Sequence, residues 1–298
     1  MNDYKQKFYN YIILLTLFAV GATEIFSQDL QYVIALLGIF SFGILHGSND
    51  LFVIKKLNQN DKQKQFLKSL FIYLAVVLAF VVVFYVVPLF ALIAFVLISG
   101  YHFGEQHFHA KISDQSSILA SFFYLCYGLL ILFLLLYLNL EEVIVIIKDM
   151  TSYTVPDSLF LIVLIASFVL SLTLFYFNSV NNPELKSSAL VNVLYLVMFT
   201  VLFYLSDVVW GFAAYFVLWH SIPSLKDQVN SLYGKFHFKN FMKYFKKAFP
   251  YWLASILGMV VVVWLFKDTK NFLSLLFAFI AAITFPHVFI MRKLFDRH

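Results

Sequence analysis

Residues 71–87 read FIYLAVVLAFVVVFYVV, an apolar run without a single charged residue. Similar runs recur along the whole chain, and about 20 helical residues span the roughly 30 Å hydrocarbon layer of a bilayer. In lipid no water satisfies the backbone, so each segment must close its own hydrogen bonds, as a helix does. The chain therefore reads as all-α, a polytopic helical bundle integral to a membrane. Composition agrees: 62% of residues are hydrophobic and 12% charged, against about 25% charged in a soluble domain. No long polar tract and no repeat marks a second unit, so residues 1–298 are expected to form one domain. The lone Cys126 excludes an internal disulfide and reads as a buried core thiol. The N-terminal MNDYKQKFYNYIILLTLFAVGATEIF has no small-x-small cleavage site before polar sequence and reads as an uncleaved first span.

About ten spans are expected, near 9–25, 31–54, 68–87, 88–109, 117–139, 158–177, 188–205, 208–224, 249–266 and 271–291. Pro88 is the expected turn between the third and fourth, and Asp207 divides the seventh from the eighth. The stretch EEVIVIIKDM, 141–150, is short and alternating, suited to the interface rather than to a crossing. Positive charge tests the count. Lys5 and Lys7 precede span one. Lys55, Lys56, Lys62, Lys64 and Lys68 lie between spans two and three. Lys226, Lys235, Lys239, Lys243, Lys246 and Lys247 lie between eight and nine, and Arg292, Lys293 and Arg297 follow ten. An even span number puts all four clusters on one side, with Lys267 and Lys270 as exceptions, and the positive-inside rule then makes both termini cytoplasmic. The net charge of +5 is thus a topology signal. It calls for no nucleic acid, and the lysine-rich loops suit anionic lipid better than a protein partner.

The histidines carry the chemical question. His298 ends the chain, and His237 lies in KFHFKNFMKYFKK, a basic amphipathic surface with lipid-facing aromatics. Counted from the outer span ends at 1.5 Å per residue, His46 lies about 22 Å deep, His102 about 21 Å, His220 about 18 Å and His287 about 24 Å. Four helices thus bring imidazole to one depth. Neutral imidazole binds Fe, Zn or Cu, and polar side chains within a span face the bundle interior. Asp50, four residues beyond His46, and Glu105, three beyond His102, could hold a ligand imidazole by its other nitrogen or bind an adjacent helix. His107 and His109 do not share the His102 face and read as an access rim, with His107 the spare ligand. The plain alternatives are hydrogen bonds across helices, an interfacial belt at Trp219-His220 and a helix irregularity at Pro286-His287. Four matched depths with two carboxylates favour a site. A proton relay in a transporter would use the same residue types, although no internal repeat supports one. Desaturases and hydroxylases use dense histidine boxes such as HxxxH, which are missing here.

The segments GILHGSNDLFVIKK, SGYHFGEQHF, FVLWHSIPSLKDQ and TFPHVFIMRKL together resemble the Brp/Blh family, the bacterial and archaeal membrane beta-carotene 15,15'-dioxygenases. The resemblance runs from about residue 30 to residue 292, and it rests on the order and placement of short motifs. It implies a helical membrane oxygenase with non-haem Fe(II) held by histidines. Such an enzyme cleaves beta-carotene at its central double bond with O2, and the retinal can feed a rhodopsin. It implies a multi-pass protein of a bacterial or archaeal inner membrane. Carried over, the His-Gly-x-x-Asp motif matches His46, Gly47 and Asp50, and the His-Phe-Gly motif matches His102, Phe103 and Gly104. Trp-His-Ser matches Trp219, His220 and Ser221, and Pro-His matches Pro286 and His287. The resemblance thus implies His46, His102, His220 and His287 as metal ligands and catalytic residues, with Asp50 and Glu105 behind them. The chain departs from the family where a second histidine often follows the Trp-His one by four residues: here stands Ser224. Position 107 is His where acidic or small polar residues are usual. Either His287 or His107 then completes the set. Action on another carotenoid is the near alternative, and a proton-coupled transporter the distant one. Aromatics beside the histidines, among them Phe42, Tyr101, Phe103, Phe212, Tyr215, Phe216, Trp219 and Phe285, suit a polyene tunnel.

Overall fold

The computed structural model describes residues 3–57, 63–112, 114, 117–265 and 272–295, and every described element is helical. The chain runs α1 (Asp3–Ile25), α2 (Gln28–Gly38), a π-helical segment (Ile39–Gly43), α3 (Ile44–Gly47), α4 (Asp50–Leu57), α5 (Gln63–Val86) and α6 (Pro88–Phe108). It continues through α7 (Ile118–Leu138), α8 (Leu140–Thr151), α9 (Asp157–Val180), α10 (Pro183–Ser187), α11 (Ala189–Leu205) and α12 (Val208–Tyr215). A second π-helical segment (Phe216–Ser221) leads into α13 (Ile222–Tyr233), and α14 (Phe238–Leu265) and α15 (Phe272–Phe295) complete it. Among the described residues eight helices are long and apolar enough to cross a membrane, and Ala189–Leu205 is a shorter apolar one. The protein is an all-α, multi-pass membrane bundle. Lys5, Lys55, Lys56, Lys62, Lys64, Lys267, Lys270, Arg297 and His298 fall on residues whose side chains lie outside the description.

Local chemistry sets the breaks. α5 stops at Val86, Val87 leaves helical geometry with φ −136° and ψ 65°, and Pro88 opens α6, where a missing N–H costs nothing. Asp207 caps α12, its carboxylate accepting from the Trp210 N–H at 2.7 Å. Residues 140–151 form a separate twelve-residue helix, too short to cross. Its Glu142 accepts from the Val208 N–H at 3.3 Å. Burial lifts that carboxyl above its ordinary range, the Val208 N–H opposes the shift, and nearby Asp207 adds to it. α14 begins well before the apolar stretch expected at 249–266 and carries the basic segment as helix, with Lys239, Lys243, Lys246 and Lys247 exposed and Tyr244 and Ala248 buried. His237 immediately precedes it, its Nδ1 accepting from the Asn240 N–H at 3.4 Å. Lys226 is not a loop lysine. It is 8% exposed on α13, its Nζ 3.8 Å over the Phe8 ring.

The span Val208–Tyr233 is the most buried and forms the axis of the bundle. Leu67–Val86 and Asp157–Val180 sit at the periphery, and Phe71, Leu78, Val82, Ile162 and Leu172 on them are exposed, as lipid-facing side chains are. Indole donors tie the inner helices together. Trp210 Nε1 donates to the Ala19 carbonyl at 3.0 Å, Trp219 Nε1 to Thr16 Oγ1 at 2.8 Å and Trp252 Nε1 to the Phe40 carbonyl at 2.7 Å. Trp219, 4% exposed, is therefore a core residue and not part of an interfacial belt. Against the axis α6 and α7 pack along each other, and α7 along α9. Gly104 lies against the Tyr124 carbonyl and Gly128 against the Gly100 carbonyl, so closely that a Cβ at either glycine would overlap the facing backbone.

Candidate metal centre

Two π-helical segments deliver the centre. A π turn inserts one residue into the helical ladder and turns the following side chains to a new face, a device common at functional sites. Ile39–Gly43 precedes His46, and Phe216–Ser221 contains His220. The two segments pack on each other. Gly43 leaves room for Phe216, whose Cε1 would lie 2.9 Å from a Cβ there. Ser221 Oγ donates to the Phe216 carbonyl at 2.8 Å, five residues back.

The four histidines meet. Ring centroids are 4.9 Å apart for His46 and His220, 4.8 Å for His46 and His287, 4.8 Å for His102 and His220, and 5.3 Å for His102 and His287. None is more than 4% exposed. One nitrogen from each of His46, His220 and His287 lies within 4.8 Å of the others, an arrangement able to hold a metal ion. His102 closes the ring of imidazoles at its side. The orphaned atoms test the fit. Both nitrogens of His102, Nδ1 of His220 and Nε2 of His287 are buried without a hydrogen-bond partner. Unmade hydrogen bonds of this kind cost about 1–3 kcal/mol each, and a cation accepting the one lone pair of each neutral ring removes the cost at that nitrogen. Neutral nitrogen donors fit a first-row transition metal and not Mg²⁺ or Ca²⁺.

Asp50 does not hold His46. Its Oδ1 accepts from His287 Nδ1 at 2.8 Å, and Tyr73 donates to Oδ2 at 3.3 Å. The reason is a break. α3 ends at Gly47, Ser48 and Asn49 form a turn, and α4 starts afresh at Asp50, so the four-residue spacing no longer stacks the two side chains. With Nδ1 donating to Asp50, His287 Nε2 carries the lone pair facing the cluster. His46 Nδ1 is similarly placed, 3.4 Å from the Phe42 carbonyl. Glu105 stands 3.9 Å from His102 Nδ1 and accepts from the Tyr101 hydroxyl at 2.9 Å. Two carboxylates therefore lie one step outside a neutral donor set. An Asp50→Asn protein keeps an acceptor but loses the charge. Its metal affinity is expected to fall about 10- to 100-fold, as for other outer carboxylates, read by metal titration. Unchanged affinity would remove Asp50 from the site.

His107 is not brought into the cluster. Its ring stacks 6.1 Å from Trp219 at 8° and lies 5.2 Å from Tyr127. With His109, Gln106, Lys226 and Asp227 it lines a cavity of about 430 Å³ whose wall also includes Phe8, Val191 and Tyr195. Ser224 is fully buried, with Gln228 Nε2 3.3 Å from its Oγ, and it belongs to a hydrogen-bonded layer behind His46.

Aromatics wall the centre. Phe216 stacks on His220 at 5.5 Å and meets His46 edge-on at 5.6 Å. Phe103 lies 4.7 Å from His220. Phe103 also lines an apolar cavity of about 410 Å³, shared with Phe212, Phe277, Leu132 and Leu136. A narrow cleft of about 20 Å³ reaches His46 and His287 directly, between Phe216 and Ile283. Of the other aromatics, Phe42 is 40% exposed and Phe285 packs on Phe80 at 4.7 Å.

No curated protein and no solved structure matches the chain. A family model does: the one described as "Beta-carotene 15,15'-dioxygenase" matches residues 37–295, a stretch that contains all four clustered histidines and both π-helical segments. The chain belongs to the beta-carotene 15,15'-dioxygenase family, and its buried histidine centre is that of a carotenoid-cleaving dioxygenase.

Proposed function

We propose that this protein cleaves beta-carotene at its central double bond with O2, giving two molecules of retinal, at a non-haem Fe(II) held by His46, His102, His220 and His287. The observation that carries this reading is the ring of buried imidazoles with unpartnered nitrogens, inside a chain matched by the family over 37–295. Asp50 orients His287, and Glu105 lies behind His102. The two carboxylates offset the charge of a dication inside lipid, where an unbalanced one would be costly.

The substrate is a hydrocarbon dissolved in the bilayer. It needs no polar recognition, only a dry channel of the right depth. The apolar cavity lined by Phe103 and Phe212 suits one arm of a polyene, because aromatic faces pack well against it. The cleft beside His46 and His287 has room for a molecule the size of water or O2. Phe103 and Phe216 exclude water from the imidazoles. Bound iron supplies the one-electron chemistry that lets O2 react with a closed-shell polyene, while the protein fixes which bond is presented. The balance is complete without a reductant: one C=C bond breaks, both oxygen atoms are taken up, and two aldehydes leave.

The chain forms one membrane-embedded domain of ten crossings with both termini cytoplasmic, in the inner membrane of a bacterium or archaeon. The exposed lysines of α14 and the Arg292 and Lys293 pair on α15 support that orientation. Retinal produced in the bilayer would be available to a rhodopsin. The test is expression in a bacterial host that accumulates beta-carotene, with retinoids separated by HPLC. Loss of the orange pigment with appearance of retinal is expected. Unchanged carotene with folded protein in the membrane overturns the reading.

A further inference from the structure

Against the main chain of His46, three fully buried polar side chains meet: Ser224, Gln228 and Tyr244. Such a group is expensive in a membrane protein unless every atom is used. Here they are used in one direction. The Tyr244 hydroxyl donates to Gln228 Oε1 at 2.8 Å. That bond fixes which way the amide faces. Gln228 Nε2 then donates to the main-chain carbonyl of His46 at 2.8 Å, with Ser224 Oγ at 3.3 Å beside it. Tyr244 Oη also lies 3.3 Å from the His46 carbonyl and 3.4 Å from that of Leu45.

The Leu45 carbonyl also accepts from the Ser48 N–H at 3.3 Å, and the His46 carbonyl is special because of the break at Ser48 and Asn49. A helix that stops leaves its last carbonyls without N–H partners, and His46 is in the last turn of α3. The break is also what sends Asp50 to His287 instead of to His46. One irregularity therefore sets two of the four imidazoles. We propose that Gln228, locked by Tyr244, is the positioning residue that holds this break and with it the placement of His46 and of the Asp50–His287 pair. Neither side chain touches the metal position. Gln228 comes from α13, on the same continuous span as His220, and Tyr244 from α14, which contributes no ligand. Ser224 stands where a histidine often stands in the family, and it serves here as the acceptor for the second amide proton of Gln228.

This inference rests on the metal reading above, and its test separates the two. Purified protein in detergent is titrated with Co(II), whose visible bands report ligand number and geometry. Gln228→Leu is expected to weaken Co(II) binding about 10- to 100-fold and to shift the bands. Tyr244→Phe, which keeps the Gln228 bond to His46, is expected to weaken it only a few-fold. The double variant is expected to match Gln228→Leu, because Tyr244 acts through Gln228. Asn178→Leu is the control. Asn178 is also buried and donates to the Leu119 carbonyl at 3.4 Å and the Leu174 carbonyl at 2.9 Å, and its loss is expected to lower thermal stability without moving affinity or bands. Wild-type affinity in Gln228→Leu, or equal losses in Asn178→Leu, overturns the positioning role and leaves the metal reading standing. Failure of the wild-type protein to bind Co(II) or iron overturns both.

Discussion

A His46→Ala protein is expected to be recovered without iron and to form no measurable retinal in carotene-accumulating cells. His46 sits between two other imidazoles of the ring. Its ring is an edge neighbour of both His220 and His287, and it belongs to the tightest three-nitrogen group. Truncation leaves two members of that group, with His102 at the side, and opens the Phe216 wall toward the narrow cleft. A loss of at least about 10³-fold in rate, equivalent to roughly 4 kcal/mol of transition-state stabilisation, is the scale expected when a centre empties. Folding is not expected to fail, because beyond its ring contacts the His46 side chain has one long hydrogen-bond distance, 3.4 Å to the Phe42 carbonyl, and its buried nitrogens gain little in the apoprotein. Iron content by elemental analysis and retinal by HPLC are read on the same preparation. Iron and activity both retained would remove His46 from the centre.

Most of the bundle was legible because lipid simplifies the code. A segment without charges has one solution in a bilayer, so the apolar runs announced their helices, and Pro88 and Asp207 announced their breaks. The meeting of His46, His102, His220 and His287 was legible for the same reason: a buried imidazole must face inward, and the matched depths did the rest. What the runs did not disclose depends on single-residue offsets. The two π-helical segments have no compositional mark. They arise where Gly43 and Phe216 interlock, a contact between residues 173 positions apart in the chain that no window of sequence contains. The partner of Asp50 was hidden by the turn at Ser48 and Asn49, although the cluster Gly47-Ser48-Asn49 is a poor continuation for a helix. The clamp from Gln228 and Tyr244 carried no local signal, because Tyr244 lies on a helix without a ligand and Gln228 lies on the His220 span beyond the π-helical segment. The exclusion of His107 did have one: five residues from His102 is a step of well over a quarter turn away from its face.

The seam between α6 and α7 also had a signal in the sequence, the Gly100–Gly104 spacing, and it supports the second large effect. Small residues four apart let two membrane helices bring their backbones together. Here the approach is closest where Gly128 faces the Gly100 carbonyl and Gly104 faces the Tyr124 carbonyl. His102 stands between the two glycines on α6. A methyl group at 128 has no flexible neighbour to displace, since what it meets is main chain. The helices must separate, and lipid tails give no compensating drive to reassociate them. Gly128→Ala is therefore expected to cost more than about 4 kcal/mol, the range of severe backbone and overpacking lesions, and to carry His102 away from His220 and His287. Gly21→Ala supplies the contrast. Nothing lies within 4 Å of a Cβ at that helical position, so the change is expected to stabilise by about 0.5–1 kcal/mol through helix propensity alone. Unfolding of the purified proteins in mixed micelles, followed by circular dichroism, separates the two. Equal stability of Gly128→Ala and wild type would mean that the α6–α7 seam is looser than this packing requires, and that His102 is held in place by something other than the glycine contact.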